Sequence, residues 1–132
     1  MVPLSLKQIS ERLRSMDLPE IDVVIGIGTG GIPAATMVAF YLNAELQVMT
    51  MNYRDEQNNP RYGEPKILNI PNWQLEGKRI LLVDDVSVSG KTMNAALEIL
   101  KGYDVQTLAM KGKADLVLFP EIKDCVKWPW KP

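Results

Sequence analysis

Histidine is absent from the 132 residues, and cysteine occurs once, as Cys125. The first absence excludes Ser-His and Cys-His nucleophile pairs, imidazole acid–base chemistry and His-ligated metals. The second excludes an intrachain disulfide and a thiolate zinc site, so a reduced, cytoplasmic setting is the simplest expectation. Excess charge is missing too: fifteen Lys and Arg stand against sixteen Asp and Glu, a formal net of −1. With no basic field to hold nucleic acid or an anionic membrane surface, neither is an expected partner, and any anion must be bound locally. Carboxylates, hydroxyls, amides and lysines are left to carry the chemistry.

Length and an apolar content of 46% fit one globular domain spanning residues 1–132. One stretch, Val23 to Ala44, has no charged residue and is long enough to cross a bilayer. Gly26, Gly28, Gly30, Gly31 and Pro33 interrupt it, which reads as a buried strand, a glycine turn and a buried helix. Met1 to Lys7 lacks the basic start and apolar block of a secretion signal.

Periodicity places the elements. Leu6, Ile9, Leu13 and Met16 form one stripe of a helix that Ser5 and Gln8 can cap reciprocally. Asp22 to Ile27 reads as a core strand, Pro33 suits the first turn of the next helix, and Asn43 its end; Leu46 to Met51 is a second strand. Asn52 to Lys66 is polar and rich in Asn, Pro and charge, which marks a long loop, expected to be a mobile lid. Arg79 to Asp85 is a strand buried on both faces. A helix opening at Ser89 to Thr92 follows, with Met93, Ala96, Leu97 and Leu100 on one stripe, and then strands at Val105 to Met110 and Leu116 to Phe119. Strand, helix, strand with tight turns predicts an α/β fold: a mostly parallel twisted sheet with helices on both faces. Ligands in such sheets lie at the carboxyl ends of the strands, here the turns at Gly28 to Gly31 and Asp84 to Thr92.

The second of these turns carries the strongest signal. The strand Ile80 to Val83 delivers two adjacent carboxylates, Asp84 and Asp85, and the small-residue turn Val88-Ser89-Gly90-Lys91-Thr92 then starts a helix. Backbone N–H groups of residues 88–92, the Ser89 and Thr92 hydroxyls and the helix dipole suit a phosphate monoester. The two acids suit vicinal hydroxyls or a hydrated Mg²⁺. A nucleoside-triphosphate loop fails on spacing, because its first glycine would have to stand at Asp85. A surface acid pair beside a helix start is the plain structural alternative. Gly26-Ile-Gly-Thr-Gly-Gly31 formally fits the dinucleotide fingerprint, but no acidic residue ends the second strand to hold a ribose. The same glycines can instead offer bare amides to a diphosphate, or serve only as a turn.

Together, Asp84-Asp85-Val-Ser-Val-Ser-Gly-Lys-Thr92 and Gly28-Thr29-Gly30-Gly31 resemble the acid-pair motif and the diphosphate loop of the type I phosphoribosyltransferases. The resemblance implies a flexible catalytic loop at 52–66 and a small C-terminal hood at 111–132. It implies binding of Mg²⁺ and 5-phosphoribosyl-1-diphosphate (PRPP), displacement of diphosphate by a nucleobase, and a homodimer. On it, Asp84 and Asp85 hold the ribose and Mg²⁺, residues 28–31 and 88–92 hold PRPP, and Arg54, Arg61 and Lys66 either supply charge from the loop or are solvated residues of it. The Ser-Gly-Lys-Thr-Met93 and Trp128-Pro-Trp130 segments are similar to the purine enzymes of the family. They make Lys111 the candidate for the purine 6-oxo group, with Lys113 second, and Trp128 and Trp130 candidates for stacking on the base, the alternative for both rings being core or dimer cover. Two positions depart from that pattern: Val88 stands where the 6-oxopurine enzymes carry an aspartate taken as general base, and Thr29 where a basic residue is usual. The expected function is phosphoribosyl transfer to a base, with a non-catalytic sensor of PRPP or nucleotides as the alternative.

Overall fold

Ser5 sets the first boundary in the computed structural model, which describes residues 1–52, 66–67 and 74–131. Its Oγ accepts the Gln8 amide at 3.1 Å while the Gln8 side chain accepts the Ser5 amide at 2.7 Å, the reciprocal cap of helix α1 (Leu6–Ser15). Strand β1 (Val2–Pro3) precedes it, and β2 (Val23–Gly28) follows with all six residues buried. Helix α2 (Ile32–Leu42) has Pro33 in its first turn and ends at Asn43 in the left-handed conformation (φ 54°). Then come β3 (Glu45–Asn52), β4 (Lys66–Ile67), β5 (Arg79–Ser87), α3 (Lys91–Ile99), β6 (Asp104–Gly112), β7 (Leu116–Val117) and β8 (Val126–Lys127).

Among the described residues the main sheet has the order β4-β3-β2-β5-β6-β7. Strands β3, β2, β5, β6 and β7 run parallel, and β4 pairs antiparallel to the end of β3. Two apolar clusters face opposite sides of it, so helices cover both faces as the alternation of elements predicts. Ile9 and Leu13 of α1 and Ala34, Ala35 and Val38 of α2 pack with Val24, Leu81 and Val83 on one side. Met93 and Ala96 of α3 pack with Ile25, Ile80 and Leu82 on the other. Each fully buried aliphatic side chain contributes about 1.5–3 kcal/mol. Gly26 lets α2 come this close, since a Cβ there would lie 2.6 Å from that of Ala35.

Several boundaries differ from the sequence reading. β5 continues past the acids to Ser87 because β6 also extends, pairing Val86 with Lys111 and Ser87 with Gly112. The last main-sheet strand is two residues long. Asn52 and Lys66, the ends of the expected lid, are paired strand residues, and 53–65 lie outside the described residues. The C-terminal segment folds back so that β8 pairs parallel with β1, a small second sheet. Arg12 fastens this segment to α1, bonding Glu121 at 2.7 Å with its guanidinium 4.5 Å from the Phe119 ring centroid. Among the described residues no helix is long and apolar enough to cross a membrane.

Candidate functional site

From β2 the chain crosses through α2 to β3 on one side, whereas β5 continues through α3 to β6 on the other. The carboxyl ends of β2 and β5 therefore flank the point where the winding reverses, the place where doubly wound sheets open a crevice. The glycine turn leaves β2 there, and Asp84 and Asp85 lie near the end of β5.

The two segments touch. A Cβ at Gly31 would lie 2.6 Å from the Ile27 carbonyl oxygen and 3.0 Å from both Cα and Oδ1 of Asp84; one at Gly30 would lie 3.2 Å from Asp85 Oδ2. Any side chain larger than hydrogen would separate turn from acids, so these glycines make the close approach possible. The Gly28–Thr29 peptide is cis, and the Gly31 amide donates to the Ile27 carbonyl at 2.8 Å as α2 begins. The turn's backbone thus faces the acid pair just before a helix N-terminus, where N–H groups and the dipole favour an anion.

Both acids are 8% exposed. Asp84 Oδ1 accepts the Asp85 amide at 2.8 Å, and Asp85 Oδ1 accepts the Val86 amide at 2.8 Å. Burial, reinforced by the neighbouring Asp85 charge, pushes the Asp84 carboxyl up to about 8. At neutral pH it can donate a hydrogen bond as well as accept one. Asp85 Oδ2 is held by the Lys131 ammonium at 3.2 Å.

The phosphate-type turn follows. Gly90 caps α3 in the left-handed region (φ 84°), and the Lys91 amide donates to Ser89 Oγ at 3.3 Å. The start of a helix offers N–H groups that lack intrahelical acceptors, which suits this turn to an anion. Val88, 75% exposed, stands in the same turn. The remaining candidates are placed differently. Lys111 lies inside β6, and its ammonium donates to the carbonyls of Lys123 and Asp124, which ties it to the C-terminal segment. Lys113 follows that strand, and its amide donates to the Ser87 carbonyl at 2.7 Å. Trp128 is 3% exposed in the core, with the Trp130 ring stacked on it at 5.3 Å between centroids. The expectation of an open indole face for a base is not met at Trp128, because its surface is spent on the core and on Trp130. Arg54 lies outside the described residues, and Lys66 begins β4. Lys131 was not singled out from the sequence; its distance of 46 residues from Asp85 leaves no local signal.

Residues 6–114 match the family model described as the phosphoribosyl transferase domain. The chain belongs to this phosphoribosyltransferase family. The Archaeoglobus fulgidus transcriptional regulator GfcR is 33% identical over 86 residues, 64% of this chain and 43% of that protein. The orotate phosphoribosyltransferase of Sulfurisphaera tokodaii is 33% identical over 99 residues, 75% of this chain and 45% of that protein. The chain thus spans less than half the length of these two curated relatives. The fold is similar to that of a purine phosphoribosyltransferase from Pyrococcus horikoshii, with a TM-score of 0.76, 24% identity and coverage of 99% of this chain and 94% of that one.

Proposed function

We propose that this chain transfers the 5-phosphoribosyl group of PRPP to a nucleobase, a purine in the first instance, and releases diphosphate. The observation that carries the reading is the seam at the switch point, where a glycine turn abuts two buried acids on the strand that leads into a helix start. In this reading the amides of Gly28, Thr29, Gly30 and Gly31 hold the diphosphate and receive charge as it leaves. Residues 88–92, with the Ser89 and Thr92 hydroxyls, hold the 5′-phosphate, and Asp84 and Asp85 bond the ribose hydroxyls. Arg54 and Lys66 supply further positive charge, and Lys111 and Trp130 are the candidates for contacting the base.

Mg²⁺ fits this donor set. Among the described residues no three His, Cys, Asp or Glu side chains form a complete metal cage. Mg²⁺ is commonly held by one or two carboxylates with waters and substrate oxygens, and Asp84 and Asp85 offer two. When bound, the ion neutralises charge on the diphosphate. A homodimer in the cytoplasm completes the proposal, and Phe40, 90% exposed on α2, is an apolar side chain that a second copy would cover.

Val88 favours a second reading, a non-catalytic sensor of PRPP or nucleotides, because it cannot take a proton from the incoming base. The regulator name of the Archaeoglobus relative supports the same alternative. Diphosphate release measured with PRPP·Mg²⁺ and guanine, xanthine, hypoxanthine, adenine, orotate or uracil separates the two. Release with any one base establishes the transferase. PRPP binding by calorimetry without release establishes the sensor, and absence of both overturns the reading.

A further inference from the structure

The C-terminal segment contributes a charge to the acid pair that the reading above does not use. We propose that Lys131 is a tethered counter-ion of the site, whose ammonium contests Asp85 with a divalent cation. The proposal rests on the reading of Asp84 and Asp85 as the residues that hold such a cation.

Placement comes first. Lys131 Nζ stands 3.2 Å from Asp85 Oδ2, the same oxygen that a Cβ at Gly30 would approach to 3.2 Å. The ammonium therefore lies against a carboxylate whose two oxygens both face the glycine turn, Oδ2 at 3.2 Å and Oδ1 at 3.4 Å from that Cβ position.

The tether is short and fixed at its base. The Lys131 amide donates to the Trp128 carbonyl at 3.1 Å, Trp128 is 3% exposed in the core, and Trp130 stacks on it with an interplanar angle of 2°. The 54% exposure of the Lys131 side chain contrasts with 11% for the Asp85 side chain, so one partner is held in the fold and the other can swing into water.

Electrostatics then set the consequence. Two adjacent buried carboxylates repel when both are charged, and a positive charge beside them offsets that repulsion. Lysine supplies a compact, strongly hydrated charge on a flexible stem, and such a half-exposed pair is weak enough to exchange. A divalent cation carries twice the charge and needs the same oxygen, so it binds by displacing the ammonium.

The test is titration of the whole chain with Mn²⁺ in the absence of PRPP, with free Mn²⁺ followed by electron paramagnetic resonance. Lys131→Met is expected to bind Mn²⁺ about two- to fivefold more tightly than the wild type, and Lys131→Arg to stay near the wild type. Asp85→Asn is expected to weaken Mn²⁺ binding whichever residue occupies position 131. Unchanged or weaker binding by Lys131→Met overturns the counter-ion role, while the Asp85→Asn loss still upholds the acid-pair reading. No saturable Mn²⁺ binding by wild type or Lys131→Met overturns both. Thermal unfolding and tryptophan emission of Lys131→Met matching the wild type exclude loss of the Trp128–Trp130 anchor as the source of a change.

Discussion

Asp84 Oδ1 accepts the backbone amide of Asp85 at 2.8 Å, so the first acid of the pair is bonded to the main chain of the second while their charges repel. The bond to an amide favours the charged form of Asp84, and burial opposes it more strongly, leaving the carboxyl at about 8.

That balance gives a pH dependence with a definite sign. A carboxyl raised from an unfolded value of 3.8 to about 8 binds its proton more tightly in the folded chain. Its contribution to stability is fully present below the unfolded value and is lost as pH rises through about 8. Asn at position 84 mimics the protonated form at every pH. Without divalent cations, Asp84→Asn should unfold at nearly the wild-type temperature near pH 3 and several degrees above it at pH 8. A parallel pair of Tm-against-pH curves would refute the assignment.

Gly31 bears on both stability and binding. Its Cβ would meet backbone atoms, the Ile27 carbonyl oxygen at 2.6 Å and Asp84 Cα at 3.0 Å, and neither can rotate away. Gly31→Ala should lower stability by about 1–3 kcal/mol and weaken PRPP binding by prying the turn from the acids. Denaturant midpoints and calorimetry read the two effects, and an unaltered midpoint would show that the turn can shift freely.

How much of this was legible in the chain depends on how local the cause is. The Ser5–Gln8 cap, the Asn43 helix end and the buried β5 strand rest on interactions within a few residues, and local patterns found them. The parallel-sheet rule put the glycine turn and the acids at carboxyl ends of strands, but their contact follows from β2 and β5 being neighbours, which no local pattern states. What stayed hidden was set by long-range pairing. The extension of β5 to Ser87 depends on β6, the return of β8 to β1 joins opposite ends of the chain, and Lys131 reaches Asp85 only because of that return. Trp128 is ambiguous for a related reason: in a segment with two-residue strands no periodicity says which ring faces the core.

Ser87 carries a hydroxyl at 5% exposure, and its Oγ has no hydrogen-bond partner among the described residues. Burying an unpaired hydroxyl costs free energy that alanine would not incur. Ser87→Ala should therefore raise stability by about 1 kcal/mol, or leave it unchanged where relaxation offsets the gain. Chemical denaturation tests this, and a loss beyond about 1 kcal/mol would mean that the hydroxyl is satisfied.

Val88 offers the sharpest test of catalysis against sensing. It is 75% exposed, so an aspartate there keeps its hydration and leaves folding undisturbed. If proton removal from a 6-oxopurine limits turnover, Val88→Asp should raise diphosphate release with guanine, xanthine or hypoxanthine by about 10²-fold, the lower end of what a positioned general base supplies. Release with adenine, which has no 6-oxo group, serves as the comparison. A variant that folds, binds PRPP and shows no gain with any 6-oxopurine would mean that another group or a water takes the proton, or that no transfer occurs; the base panel on the wild type distinguishes these, because only in the first case is diphosphate released at all.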